Sequence, residues 1–214
     1  MAKASFFFTL FLLSTNLIQA QKIQPDIRSN KNFITVNRQL NINQQDNNPI
    51  IYLNAKEGPG IAWIKDLDFS FGTIEFDIKG KDIPQESFVG LAYHGLNDST
   101  YDAIYFRPFN FNAKDSLSHR HGVQYVSMPK YDWFNLRETF KGKFESSLNQ
   151  NIDPDTWFHV KIKLTAEDAL VYVNNNPASC LTLRPLNKNS HGKLGFWVGN
   201  GSDGYFSNLY LEKN

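Results

Sequence analysis

A single cysteine, Cys180, is the only thiol in the chain. An internal disulfide is therefore excluded, and packing alone has to hold the fold. Cys180 lies in the strand-like run ASCLTL with no base or cation beside it, which reads as a small buried residue and not a nucleophile. An excess of one charge is missing too. Lys and Arg number 22 against 21 Asp and Glu, scattered along the chain, so nucleic acid and anionic membranes are poor partners. No run of about twenty apolar residues exists to form a membrane anchor. Long stretches of strong helix formers are also absent, while aromatic and β-branched residues are frequent, a bias toward β structure.

The first residues read as an address. Lys3 supplies a positive start, 6–13 a short apolar core, and Ile18-Gln19-Ala20 a small-residue cleavage site. We expect a signal peptide at 1–20, export to the periplasm or beyond, and a flexible lead-in at 21–32. One domain fills 33–214, long enough for a substantial core.

About a dozen short strands are expected there: 33–36, 50–53, 61–64, 72–79, 88–93, 102–107, 123–127, 157–164, 169–174, 179–183, 193–199 and 205–211. Gly, Pro and Asn punctuate them, the pattern of an all-β sandwich or barrel. Alternation is strict in places. Ile74, Phe76 and Ile78 oppose Glu75, Asp77 and Lys79, and Val160, Ile162 and Leu164 oppose His159, Lys161 and Lys163. Each such strand buries one face, as antiparallel sheets do. The strand ending at Asn174 followed by Asn175-Asn176-Pro177 predicts a hairpin, since Asn tolerates positive φ. The aromatic stretch 129–143 reads as a long ordered loop, a length that usually signals function.

The stretch 101–127 concentrates the chemistry. If strands 102–107 and 123–127 pair antiparallel, Arg107, Asn110, His121 and Gln124 gather at one end of a sheet. Ala103, Tyr105 and Arg107 share a face opposite Ile104 and Phe106. Arg107 would then grip a carboxylate, a sulfate or sugar hydroxyls, or else form a structural bridge to Asp102 or Asp115. Tyr105 and Trp133 would stack on a sugar ring, and Gln124 offers donor and acceptor to a hydroxyl pair. His121 is the candidate acid or base, with His94, His119 and His159 weaker. His119 and His121 have strand spacing for zinc but no completing ligand, so we expect no catalytic metal or cofactor. Structural calcium stays open, through 200–204 (Asn-Gly-Ser-Asp-Gly) with Asp66 and Asp68.

The runs FGTIEFDIKG, WFHVKI, ALVYVNNNPASCLTL and GKLGFWVGNGSDGYFSNLYLEK follow one another in an order that resembles the concanavalin A-like lectin and glucanase superfamily. With YFRPFNF, the chain is most similar to exported bacterial laminarinase-like and 3-keto-disaccharide hydrolase-type domains. The resemblance implies two antiparallel sheets in a jelly roll with a sugar groove on the concave one. It also implies a catalytic strand, here Glu75-Phe76-Asp77-Ile78-Lys79-Gly80, with Glu75 as nucleophile. The acid of that pattern is replaced by Lys79 or Gly80. Retaining chemistry needs two carboxyl groups about 5–5.5 Å apart, so the standard glucanase mechanism is disfavoured and Glu75 and Asp77 also read as plain surface carboxylates.

The reading is an exported carbohydrate-active protein, a glycoside hydrolase or lyase acting on an oxidised or acidic sugar. His121 or Glu75 is its proton carrier, and Tyr105, Arg107, Asn110, Gln124 and Trp133 its substrate contacts. A non-catalytic carbohydrate-binding domain is the alternative, and an adhesion module a third. A fold of this kind hosts all of them, so function has to be argued from the site.

Overall fold

The computed structural model describes residues 21–46, 48–148 and 150–213. The leader expected at 1–20 lies outside the described residues. The strands are β1 (Gln21–Ile23), β2 (Phe33–Val36), β3 (Leu40–Gln45), β4 (Asn48–Leu53), β5 (Gly60–Phe69), β6 (Gly72–Lys79), β7 (Val89–Gly95), β8 (Tyr101–Phe106), β9 (Val123–Met128), β10 (Glu145–Ser146), β11 (Phe158–Leu164), β12 (Ala169–Val173), β13 (Leu181–Leu183), β14 (Gly192–Val198) and β15 (Gly204–Lys213). Two helices, α1 (Ser116–His119) and α2 (Trp133–Phe140), lie between β8 and β10. No helix among the described residues is long and apolar enough to cross a membrane.

The strands form two antiparallel sheets. The first runs β13-β12-β11-β6-β15-β4-β3, with β1 added against β15; the second runs β10-β9-β8-β7-β14-β5-β2. This is a jelly-roll β-sandwich, as the alternating strands led us to expect. In the first sheet one face is buried and the other half-open: β6, β11 and β12 bury every second residue. Phe76 and Phe206 of that sheet meet Phe196 of the second, with Phe196 and Phe206 stacked at 4.6 Å between centroids. These rings fill the space between the layers, and apolar area removed from water there is the main stabilising term. At the other end of the core Phe158 meets Phe106 and Phe111 edge-on.

The second sheet differs, because β7 and β8 are buried along their whole length. Both of its faces are covered. On the face away from the core the central strands carry small residues, Gly90 and Ala92 on β7 and Gly195 on β14, in register with one another's neighbours. Larger side chains from the flanking strands lie down over them.

Three expectations change. Residues 21–32 are not a loose lead-in: β1 pairs with the end of β15, Ile27 is buried, and Ser29 caps a turn of 3-10 helix at Asn30–Asn32. Residues 129–143 hold a helix instead of a loop, because the Asp132 carboxylate accepts from the Asn135 N–H and caps α2. Its aromatics Trp133 and Phe134 are exposed and only Leu136 is buried, so the apolar spacing that marks a helix in a sequence is missing. β3 and β10 were not expected. The hairpin joining β12 to β13 is present, but its turn starts one residue earlier than expected, with Asn174 and Asn175 at φ 48° and 57°.

Candidate functional site

One row of cross-strand partners makes the floor of the site. Glu145 pairs with Gln124, Gln124 with Tyr105, Tyr105 with Gly90, Gly90 with Trp197, and Trp197 with Ile61. Partners directly opposite in an antiparallel sheet share a face, so these side chains all lie on the side away from the core. Gly90 contributes no side chain, and a Cβ there would meet the Ile104 carbonyl oxygen at 2.2 Å. The Tyr105 and Trp197 rings therefore close over it, 4.9 Å apart between centroids. Trp197 Nε1 donates to the Tyr101 hydroxyl (3.2 Å), extending the aromatic floor. Above this floor opens a pocket of about 580 Å³, walled by Arg107, Asn110, His121, Trp133 and Arg137.

Arg107 follows β8 directly and enters a short 3-10 turn at Pro108–Asn110. Its backbone N–H donates to Gly122 O, which ties the end of β8 to the start of β9. The guanidinium is 5% exposed and lies 4.9 Å above the Tyr105 ring. Its Nη2 donates to Tyr105 Oη (2.7 Å) and Gln124 Oε1 (3.0 Å), and its Nη1 to the His121 carbonyl (3.1 Å). All three acceptors are neutral. Among the described residues no carboxylate pairs with it, and Glu145 acts on it only through space. Burial accordingly lowers its pKa. A buried cation without an anion is costly, and the neutral acceptors only soften that.

Beside Arg107 stands a second, self-balanced group. The Glu145 carboxylate, with its side chain 6% exposed, is gripped by Arg137 through Nε (3.1 and 3.0 Å) and Nη2 (2.8 Å). His121 Nε2 lies 3.3 Å from the other side of the same carboxylate. Burial depresses the His121 pKa, Glu145 works against that, and Arg137, Arg107 and Arg120 reinforce it. The net direction favours the neutral imidazole. Trp133, 47% exposed, stands at the rim with the Arg137 guanidinium 5.2 Å from its ring.

Antiparallel pairing of β8 with β9 brings Tyr105, Arg107, Asn110, His121 and Gln124 together, and α2 adds Trp133. Gln124 plays a different part from the one expected. It is fully buried, its Oε1 accepting from Arg107 and its Nε2 donating to Tyr125 O (3.2 Å), so it positions Arg107 from beneath and does not line the pocket. Asn110 lines the pocket through a long contact to the His121 carbonyl (3.4 Å).

Glu75 does not join them. β6 belongs to the first sheet, and its apolar residues Ile74, Phe76 and Ile78 fill the core, which aims Glu75 and Asp77 outward on the opposite side of the sandwich. There Glu75 pairs with Lys161 (3.0 Å) and Asp77 with His159 (2.7 Å) and Asn208 (2.6 Å). The bridge suggested from Arg107 to Asp102 or Asp115 is not formed either: Asp102 faces the core, and Asp115 caps α1. Of the candidate calcium ligands, Asp203 is held by Lys81 and Tyr52, and Asp68 by His191. No group of three His, Cys, Asp or Glu fit for a metal exists among the described residues. His94 is buried against Ser70 O, and His119 ends α1.

The sequence reading missed Glu145, Arg137 and Trp197. Trp197 was legible, because Leu194, Phe196 and Val198 alternate inward and leave it on the outer face. Glu145 sits on a two-residue strand with no alternation to read.

No family model and no curated protein matches the sequence. Solved structures do resemble the fold. The carbohydrate binding module CBM66 from Bacillus subtilis superposes with a TM-score of 0.59 at 14% identity, over 84% of this chain and 95% of that one. A Bacillus subtilis protein of unknown function with a galectin-like fold gives 0.58 at 11% identity, over 91% and 98%. The exoplasmic domain of VIP36, in a form bound to Ca2+ and Man3GlcNAc, gives 0.52 at 12% identity, over 87% and 85%. At such identities the likeness concerns the fold, and the fold is the galectin-like and concanavalin A-like sandwich.

Proposed function

We propose that this chain is an exported carbohydrate-active protein whose pocket takes an acidic sugar. The observation that carries the reading is Arg107: a buried guanidinium at the mouth of an aromatic-floored pocket, held by neutral acceptors and lacking an anion. A sugar carboxylate supplies that anion through the N–H groups left over on Nε and Nη1, since Nη2 is taken by Tyr105 and Gln124 and one Nη1 hydrogen by the His121 carbonyl. Trp133 offers the ring its face at the rim, and Trp197 and Tyr105 form the apolar bottom. The fold neighbours that carry or bind carbohydrate by name support the same class of ligand. The leader expected at 1–20 from its charge, apolar core and small-residue end supports export.

Catalysis is a second reading, and His121 is what favours it. With its Nε2–H turned to Glu145, the neutral imidazole keeps an unprotonated Nδ1 as a base. Next to a carboxylate neutralised by Arg107, the matching reaction is β-elimination. The base takes the proton α to the carboxylate, those electrons form the C=C bond, and the glycosidic C–O bond breaks as its oxygen takes a proton from water. Two-carboxylate hydrolysis, which the laminarinase-like resemblance implies, fits less well. Glu145 is bound to Arg137, Asp132 caps α2, and Glu75 is on the far side. Specific hydrolysis of 3-keto glycosides has no residue arguing for it.

Calorimetric titration of the chain without its leader tests both readings, with galacturonate and glucuronate set against galactose and glucose. Uronate binding lost on Arg107→Met supports the pocket, and equal binding of neutral sugars refutes the role of charge. Unsaturated product from oligouronates, abolished by His121→Ala while binding persists, identifies a lyase. Binding without product leaves a carbohydrate-binding domain.

A further inference from the structure

The pocket has a neighbour. On the other side of the Glu145–Arg137 pair lies a hollow of about 820 Å³, and His121 and Arg137 wall both cavities. The second hollow is bordered by Arg120, the C-terminal cap of α1, and by Lys141, the C-terminal cap of α2. Both are exposed, and neither forms an ion pair among the described residues. Glu145 is the one acidic residue in its lining, and Arg137 already occupies that carboxylate. Two uncompensated cations thus face a cavity that opens beside the first, which holds a third in Arg107. Clefts lined by one sign of charge concentrate ions of the other.

We propose that this second hollow is an anion subsite, taking the carboxylate or sulfate of the sugar unit adjoining the one at Arg107. The ligand is then a polyanionic glycan chain and not an isolated acidic sugar. This deepens the acidic-sugar reading and rests on it for the word glycan, but the anion subsite stands on its own residues. Arg120 and Lys141 are its specificity determinants. They act at long range through exposed charge, so their contribution is sensitive to salt, whereas that of the buried Arg107 is much less so.

The test has two arms. In the first, sulfate alone is titrated into the protein and followed by backbone amide NMR, for the wild type and for Arg120→Gln/Lys141→Gln. Saturable shifts at residues 117–121 and 141–147, lost in the double variant, are expected. Shifts that never saturate, or that survive in the variant, overturn the subsite. The second arm measures affinity for galacturonate, its dimer and its trimer, and for a sulfated chondroitin disaccharide. The dimer should bind about ten times more tightly than the monomer, with each exposed charge worth roughly two- to fivefold. The double variant should keep the monomer affinity and lose most of the gain. Equal affinity for monomer and dimer refutes the chain proposal while leaving the acidic-sugar pocket intact. Sulfate binding without any uronate or sulfated sugar binding refutes that pocket's reading and leaves a bare anion site. Preference for the sulfated disaccharide over the diuronate identifies sulfate as the group taken.

Discussion

The two outer faces of this sandwich use the same residue types and arrange them differently. On the first sheet every prominent charge near the middle has its opposite. Glu75 faces Lys161 and His159, Asp77 faces His159 and Asn208, and Asp203 holds Lys81. Apart from the buried Asp203, these groups are partly open to water, and all are paired. On the second sheet Arg107 is almost completely buried and has neutral acceptors only. Charge that is exposed and paired is a solvated surface; charge that is buried and unpaired beside a cavity points to a missing partner. The presence of carboxylates on a strand therefore says less about a site than the imbalance around one arginine.

The strongest way to break this contrast is Arg107→Met. If the guanidinium waits for a ligand anion, its removal should weaken uronate binding by about 2–5 kcal/mol, the usual range for a buried charge contact. Folding stability should change less than binding, because relief from burying an unpaired charge is offset by the Tyr105, Gln124 and His121 acceptors left without their donor. Titration calorimetry and urea unfolding on one preparation give both numbers. A stability loss of several kcal/mol with binding intact would make Arg107 a structural residue.

Asp102 sharpens the same point, being an unpaired charge that no ligand reaches. It is fully buried on the core side of β8, and neither carboxylate oxygen has a hydrogen bond of good geometry, although Ser127, Tyr125 and Asn187 lie close to it. Burial pushes its pKa up to about 6, while the nearby Ser127, Tyr125 and Asn187 temper the rise. A folded-state pKa above the unfolded value of 3.8 means the neutral acid is the form that suits the fold. Its contribution is complete below that value and is lost as pH rises through about 6, on the order of 3 kcal/mol in total. Asp102→Asn should remove this loss. Urea unfolding at pH 4, 5, 6 and 7 should show the wild type falling relative to the variant across the window. Parallel profiles would mean that Asp102 is solvated in the folded state.

Much of the sandwich could be read from residue pattern because burial of one face imposes a period of two. Strands β6 and β11 advertise themselves through Ile74-Phe76-Ile78 and Val160-Ile162-Leu164. The convergence of Arg107, His121 and Gln124 was legible for a related reason: two adjacent strand-like runs with a polar loop leave few ways to pair. What stayed hidden depended on contacts far apart in sequence. Glu145 gains its place from pairing with Gln124, and β10 is too short to show a pattern. Glu75 looked catalytic through resemblance, but which sheet receives β6 is a property of topology and not of the strand. The aromatic density of 129–143 suggested a loop, whereas α2 starts at the Asp132 carboxylate that accepts from the Asn135 N–H.

A smaller effect tests the rim. Trp133 is half-exposed and stands over the pocket, so Trp133→Ala should weaken uronate binding by about 1 kcal/mol and leave stability nearly unchanged. A loss as large as that of Arg107→Met would move the centre of recognition from the charge to the ring. No loss would place the sugar wholly inside the pocket.

The smallest effect belongs to the paired face, where it should confirm that nothing functional is stored. The hydrogen bond to Asp77 raises the His159 pKa. Burial alone would raise that of Asp77, but His159 and Asn208 together hold it below the usual carboxylate value. The two directions set the window. The His159 contribution is complete below its unfolded value of 6.5 and fades as pH climbs through the elevated folded pKa. The Asp77 contribution is present above its unfolded value of 3.8 and fades as pH falls through the depressed one. Coupling is therefore greatest between these unfolded values, where both groups are charged. Both side chains are about a quarter open to solvent, so screening keeps the interaction to roughly 0.2–1 kcal/mol. A double-mutant cycle with Asp77→Asn and His159→Gln, run by urea unfolding at pH 5 and pH 8, should find that coupling at pH 5 and little at pH 8. Uronate affinity should be unchanged in all three variants. A drop in affinity here would mean that the paired face also meets the ligand, and the contrast between the two faces would fail.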